Sequence, residues 1–152
     1  MGNIFNEDFR DFITSLNKCE VEYILVGGFS VILHGYSRTT GDMDIWVNRT
    51  NENYKKLKDA FTDFGMPVFD MTPENFLTHP VWDVFTFGVP PSAIDIMVKL
   101  KGLQFNECFT KAVIFSDDDL TVRTLHLSDL KEAKQASGRS KDLDDLENLS
   151  KL

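Results

Sequence analysis

The chain has 152 residues, 42% of them hydrophobic, with thirteen phenylalanines and a formal net charge of −8. That length suits one domain with a sizeable core, and that composition excludes a disordered chain. The acidic balance argues against gripping a nucleic-acid backbone as the main task, because neutralising phosphates takes clustered Lys and Arg. Apolar runs are too short to span a bilayer and no leader pattern is present, so a cytoplasmic protein without a membrane partner is expected. Cys19 and Cys108 fall in no ligand or redox spacing and read as reduced thiols.

Phe5, Phe9, Phe12, Ile13 and Leu16 recur at helical spacing, which predicts an amphipathic helix over residues 5–17 with its aromatic stripe in the core. Residues 21–26 read as a strand, buried from Tyr23 to Val26, and Gly27-Gly28 follows directly. Phe29 to Gly35 has the length of a short helix closed by Gly35. Strand, glycine turn and helix start together let backbone N–H groups face a phosphate, and Ser30 would add a hydroxyl donor. Alone, a Gly-Gly turn is common, and no further glycine supplies a dinucleotide-binding spacing. His34 would cap that helix or pack beneath the site.

Arg38 and Thr40 come just before a strand pattern, Asp42-Met43-Asp44-Ile45-Trp46-Val47. Arg38 suits a phosphate or the acceptor, and Thr40 suits the turn that presents Asp42. Side chains at i and i+2 leave a strand on one face, so Asp42 and Asp44 can converge on a divalent metal. Carboxylate oxygens are hard donors and favour Mg²⁺ or Mn²⁺. The plain alternative is a solvated strand face.

A helix is predicted over residues 51–64, with Thr50 as N-cap and Gly65 after its end. Residues 66–80, with Pro67, Pro73 and Pro80, read as irregular, and 81–87 as a strand. In Ala93-Ile94-Asp95-Ile96-Met97-Val98 the residues Ile94, Ile96 and Val98 share one face, while Asp95 and Met97 share the other. An acid in so apolar a strand is costly unless a metal or a substrate hydroxyl meets it. Asp117-Asp118-Asp119 reads as a solvated turn between short strands.

The last stretch, residues 127–152, reads as a helical pair. Ser128 serves as N-cap and Gly138 ends the first helix, while Leu143, Leu146 and Leu149 form the apolar stripe of the second. Lys134 on the first of these helices could point at a triphosphate, with Asp142 anchoring it or Arg139.

Val-Gly-Gly at 26–28, followed after thirteen residues by Asp42-Met43-Asp44, resembles the polymerase-β-like nucleotidyltransferase superfamily. The segment from Gly27 to Asp44 and the later matches Asp129-Leu130, Lys134, Gly138-Arg139, Lys141-Asp142 and Asp145-Leu146 resemble its small bacterial branch related to abortive-infection toxins. Ser140 stands where that branch often has proline. The resemblance implies an α/β fold, with a mixed and mainly antiparallel sheet and helices mostly on one face, in one domain spanning 1–152. It implies that Gly27, Gly28, Ser30, Arg38, Thr40, Lys134, Arg139 and Asp142 bind a nucleoside triphosphate. Asp42, Asp44 and Asp95 would be the catalytic carboxylates and hold Mg²⁺ or Mn²⁺. A nucleoside monophosphate would pass to a hydroxyl of RNA, a protein or a small molecule, within a toxin–antitoxin or phage-defence system. With no separate domain to recognise a bulky acceptor, a partner protein or a homodimer is expected. The alternative is a non-catalytic nucleotide-binding or protein-interaction module on the same fold.

Overall fold

A computed structural model describes residues 4–151. Six strands form one sheet: β1 (Tyr23–Val26), β2 (Met43–Val47), β3 (Val84–Phe87), β4 (Ile94–Met97), β5 (Val113–Asp117) and β6 (Leu120–Thr124). Their order across the sheet is β3-β4-β2-β1-β6-β5. Three of the pairings are antiparallel, and the β2–β4 and β1–β6 pairings are parallel. Among the described residues seven helices complete it: α1 (Glu7–Lys18), α2 (Gly27–Leu33), α3 (Asn51–Phe64), α4 (Pro73–Thr78), α5 (Phe105–Lys111), α6 (Leu127–Ser137) and α7 (Ser140–Leu149).

Alternation along the strands divides the core in two. Leu25, Ile45, Phe85 and Ile96 point to one face, where Phe9, Phe12, Ile13 and Leu16 of α1 and Leu57 and Phe61 of α3 cover them. Phe12 fits edge-on against both Phe61 and Phe64, with ring centroids 5.5 and 5.3 Å away. Ile24, Val26 and Trp46 point to the other face and meet Cys108 of α5, Leu130 of α6 and Leu149 of α7. The mixed sheet matches the expectation from sequence; the helices are shared between its faces more evenly than expected, because the short α5, α6 and α7 find an apolar strip between Ile24 and Trp46.

Local chemistry explains where most helices start and stop. Thr50 accepts from the Asn53 amide at the start of α3, and Gly65 ends that helix at φ 92°, a left-handed conformation that costs glycine little. The segment expected to be irregular contains α4, which Thr72 caps through the Asn75 amide, with Pro73 in the first turn. The prolines suggested a break, whereas Thr-Pro-Glu-Asn is a helix start. In α6 the N-cap is His126, not Ser128: the imidazole Nδ1 accepts from the Ser128 amide at 3.1 Å. The third correction falls on α7, where Leu143 is half exposed and the inward residues are Asp142, Asp145 and Leu149. Two carboxylates therefore face the interior where leucines were expected.

Asp117, expected in a solvated turn, is buried and bonded to Arg10 at 3.1 Å, while Asp118 and Asp119 make the turn. Both cysteines are free, and burial, with Asp129 beside it, pushes the Cys108 thiol up to about 12. Among the described residues no helix is long and apolar enough to cross a membrane.

Candidate active site

The register of four strands sets one row of residues across the sheet. Val26 on β1 faces Asp44 on β2, Asp44 faces Asp95 on β4, and Asp95 faces Thr86 on β3. Registered residues on neighbouring strands project to the same face, which here is the face holding Ile24 and Trp46. The row ends β1 and opens into a cavity of about 590 Å³ lined by Gly27, Gly28, Arg38, Thr40, Asp42, Asp44, Asp95, Met97, Lys134, Arg139 and Lys141, among others.

Asp44 and Asp95 form a pair at the floor. Burial comes first in pushing the Asp44 carboxyl up to about 7, followed by the charge of Asp95 and a hydrogen bond with it; Lys141 and Lys134 oppose the shift. Two carboxylates this close cannot both ionise cheaply unless a cation joins them. Asp42 lines the same cavity, but its Oδ1 accepts from the Ala93 amide at 3.1 Å, and the Met43 amide donates to the Ala93 carbonyl at 2.9 Å. Asp42 thus ties the start of β2 to the start of β4. Among the described residues no group of three His, Cys, Asp or Glu side chains reaches metal-ligand spacing. The three expected carboxylates share a cavity but do not together reach metal-ligand spacing: Asp44 and Asp95 adjoin, and Asp42 gives one of its two oxygens to the Ala93 amide. The donor set is all hard oxygen and, among the described residues, no Lys or Arg forms an ion pair with Asp44 or Asp95, so these residues fit a small divalent ion.

The glycine pair makes room for other side chains. A Cβ on Gly27 would lie 2.2 Å from Asp44 Oδ2, and Gly27 has φ +70°. A Cβ on Gly28 would lie 2.3 Å from Thr40 Oγ1 and 3.1 Å from Arg38 Nη2. Any larger residue would push Asp44 or the Arg38–Thr40 turn out of the cavity.

Ser30 does not belong to the site. It is fully buried, and its hydroxyl shares a 2.6 Å hydrogen bond with Thr124, so it fastens α2 to β6. It lies three residues into α2, where the helix turns it away from the cavity and into the core. His34 is structural too, its Nε2 lying 2.6 Å from the Leu125 carbonyl oxygen.

A second group of charges forms the opposite wall. Lys134, only 6% exposed, contacts Asp142 at 3.1 Å and Asp145 at 3.0 Å. Arg38 Nη2 donates to Asp145 Oδ2 at 3.0 Å, and its Nε lies 2.8 Å from Oδ1 but off the hydrogen-bond direction. Arg139 Nε donates to Asp142, which also accepts from Ser137 at 2.6 Å. Burial alone would raise the Asp142 carboxyl, but the bonds from Arg139, Ser137 and Lys134 outweigh it and hold it well below the usual carboxylate range. The result is an alternating chain, Arg38–Asp145–Lys134–Asp142–Arg139, with three cations on two anions. Lys141 lines the cavity with no carboxylate partner among the described residues.

Asp145 and Thr86 went unassigned in the sequence. Asp142 and Asp145 are three apart and Leu149 four further on, a single helix face, but the leucines at 143, 146 and 149 offered a competing stripe. Thr86 was one polar residue in a strand pattern, and only the pairing of β3 with β4 brings it to Asp95.

Two solved structures share the fold. One is a candidate nucleotidyltransferase from Thermotoga maritima, at TM-score 0.61 and 15% identity, over 94% of this chain and 90% of that one. The other is the lincosamide antibiotic adenylyltransferase LnuA in its lincomycin-bound form, at TM-score 0.60 and 17% identity, over 98% of each chain. No curated protein matches the sequence. A family profile described as "Nucleotidyltransferase of unknown function (DUF6036)" matches residues 5–151, nearly the whole chain. The chain belongs to that nucleotidyltransferase family.

Proposed function

We propose that this nucleotidyltransferase moves a nucleoside monophosphate from a nucleoside triphosphate to an acceptor hydroxyl, with the Asp44–Asp95 pair at the reacting centre. The observation that carries the reading is the row Val26–Asp44–Asp95–Thr86, which sets two adjoining carboxylates across from a cationic wall in one cavity. Phosphates would rest along Gly27, Gly28 and Thr40, within reach of Arg38, Arg139 and Lys141. Lys134 supports this wall from behind: with two carboxylates on it, it fixes Asp142 and Asp145, and these fix the arginines.

Asp44 and Asp95, with Asp42 beside them, would hold Mg²⁺ or Mn²⁺. When bound, such an ion offsets the carboxylate and phosphate charges and stabilises the attacking and leaving oxygens. The chain's own contribution is positional. The glycine pair leaves space for Asp44, the cationic wall orients the polyphosphate, and Asp95 is placed to accept the proton of the attacking hydroxyl. Bond formation at the α-phosphorus then releases pyrophosphate.

The link to the abortive-infection branch, and with it a toxin–antitoxin or phage-defence setting, rests on the sequence matches between Gly27 and Asp44 and between Asp129 and Leu146. RNA, a protein and a small molecule are all candidate acceptors. The test is to incubate the purified chain with Mg²⁺, each labelled nucleoside triphosphate and a cell lysate, following pyrophosphate and the molecule that gains label. Asp44→Ala should abolish transfer while its circular dichroism stays that of the wild type. Transfer at the wild-type rate by that variant would sink the assignment. Nucleotide binding by calorimetry with no pyrophosphate from any mixture would favour a non-catalytic module.

A further inference from the structure

The outer end of the carboxylate row carries a hydroxyl. Thr86 Oγ1 donates to Asp95 Oδ1 at 2.6 Å. Thr86 is exposed and sits on β3, the edge strand of the sheet, directly opposite Asp95. A hydroxyl within about 2.6–3.2 Å of a carboxylate has the spacing of a nucleophile and its base. Resting on the nucleotidyl-transfer reading, we propose that Thr86 is itself an acceptor: the chain transfers a nucleoside monophosphate onto Thr86 Oγ1 and so modifies its own acceptor entrance.

The row has a direction, and that selects Thr86. Gly27 and Gly28 follow β1 at the start of α2 at one end, and Thr86 stands on β3 at the other, with Asp44 and Asp95 between. In-line displacement requires the attacking oxygen to enter opposite the leaving pyrophosphate. With the polyphosphate on the glycine side, the entering hydroxyl comes from the β3 side. Of the other hydroxyls near the row, Ser30 is buried on Thr124, Ser137 donates to Asp142, and Thr40 packs against Gly28 on the polyphosphate side.

The step balances without an oxidant or reductant. A bond forms between Thr86 Oγ1 and the α-phosphorus while the bond from that phosphorus to the pyrophosphate oxygen breaks, its electron pair leaving with pyrophosphate. The hydroxyl proton passes to the Asp95 carboxylate and then to solvent. The product is a phosphodiester on the edge strand, lying against Asp95, and it would bar a second acceptor. Self-modification is then a brake on transfer to other molecules.

The experiment uses the whole chain with Mg²⁺ and each of the common nucleoside triphosphates, read by intact mass. The expected result is a gain of a single nucleoside monophosphate residue, mapped by peptide fragmentation to Thr86, with a modified fraction that rises independently of protein concentration. Thr86→Val should show no gain while binding the triphosphate as the wild type does in calorimetry, and Thr86→Ser should regain it. If Thr86→Val also loses binding, the mapped site in the wild-type chain decides. Label on another residue, equal label on Thr86→Val, or an unmodified chain that still transfers to a lysate acceptor would overturn self-modification and leave nucleotidyl transfer standing. Neither nucleotide binding nor pyrophosphate release in any mixture would overturn both.

Discussion

The two charged walls of the cavity follow opposite rules. On the helical side, Arg38, Lys134 and Arg139 are matched by Asp142 and Asp145 in a closed network with nearly every charge partnered. On the sheet side, Asp44 and Asp95 face each other with no ion-pair partner among the described residues, Lys141 and Lys134 acting only from a distance, and the Asp44 carboxyl is pushed up to about 7. A matched network fixes geometry and contributes to the fold. An unmatched pair strains the fold and is left open for a ligand. The cationic wall is thus largely built as scaffold, and under the proposed function the acidic wall is where a metal ion would gain most from binding.

The largest expected effect tests the unmatched pair. Asp44→Asn should lower nucleotidyl transfer by at least about 100-fold, the scale of losing one preorganised charge-stabilising group. At pH 7 and without divalent ions the same variant should be more stable than the wild type, because it removes a charge that the site disfavours. Urea denaturation with and without Mg²⁺ checks this, and a destabilised variant would mean that Asp44 is matched after all.

Next comes the matched network. Asp145→Ala removes the shared partner of Arg38 and Lys134, leaving the largely buried Arg38 guanidinium without a carboxylate and Lys134 with Asp142 alone. The expected loss is about 3–5 kcal/mol in denaturant unfolding. A loss below about 1 kcal/mol would show that the network is open to water and contributes as little as a surface pair does.

Lys141→Ala should weaken triphosphate binding about tenfold, or ~1.4 kcal/mol, with no change in stability, since Lys141 lines the cavity outside the network. Calorimetry decides it, and unchanged affinity would return the cation role to the arginines.

The last test is a pH profile. Asp44 has a folded pKa of about 7 against an ordinary 3.8, so the folded state binds the extra proton between those values. Its contribution to stability is fully present below about pH 4 and is lost as pH rises through about 7. Asp142 is held the other way, so its contribution is present above the ordinary carboxylate range and lost as pH falls below that range. Without divalent ions, stability should decline from about pH 4 to about pH 7, and Mg²⁺ should flatten that slope. A profile already flat without Mg²⁺ would contradict the strain assigned to Asp44.

Much of this was legible where the determinants are local. Thr50 and Gly65 bound α3 because capping depends on a few neighbouring residues. Alternation put Asp95 and Met97 together on the face away from Ile94 and Ile96, and the glycine pair and Asp44 line one cavity. Ser30 was misplaced because a helix turns its residues by a fixed angle, and one residue of phase separates a cavity from the core. In α7, Leu143 and Asp142 competed for the interior. Hydrophobicity favoured the leucine, but Lys134 and Arg139 on the facing segment drew in the acid.

The sequence by itself determined α1, α3 and the helical pair α6–α7, the strand–glycine–helix turn and the alternate-position carboxylates, because backbone periodicity and capping act over a few residues. Tertiary structure alone decided that Asp145 meets Arg38 across 107 residues of chain and also pairs with Lys134, that Asp42 accepts from the Ala93 amide, and that Thr86 meets Asp95. Those pairings depend on strand register and on which opposite charge lies within reach once water is excluded, and neither is encoded in any single segment.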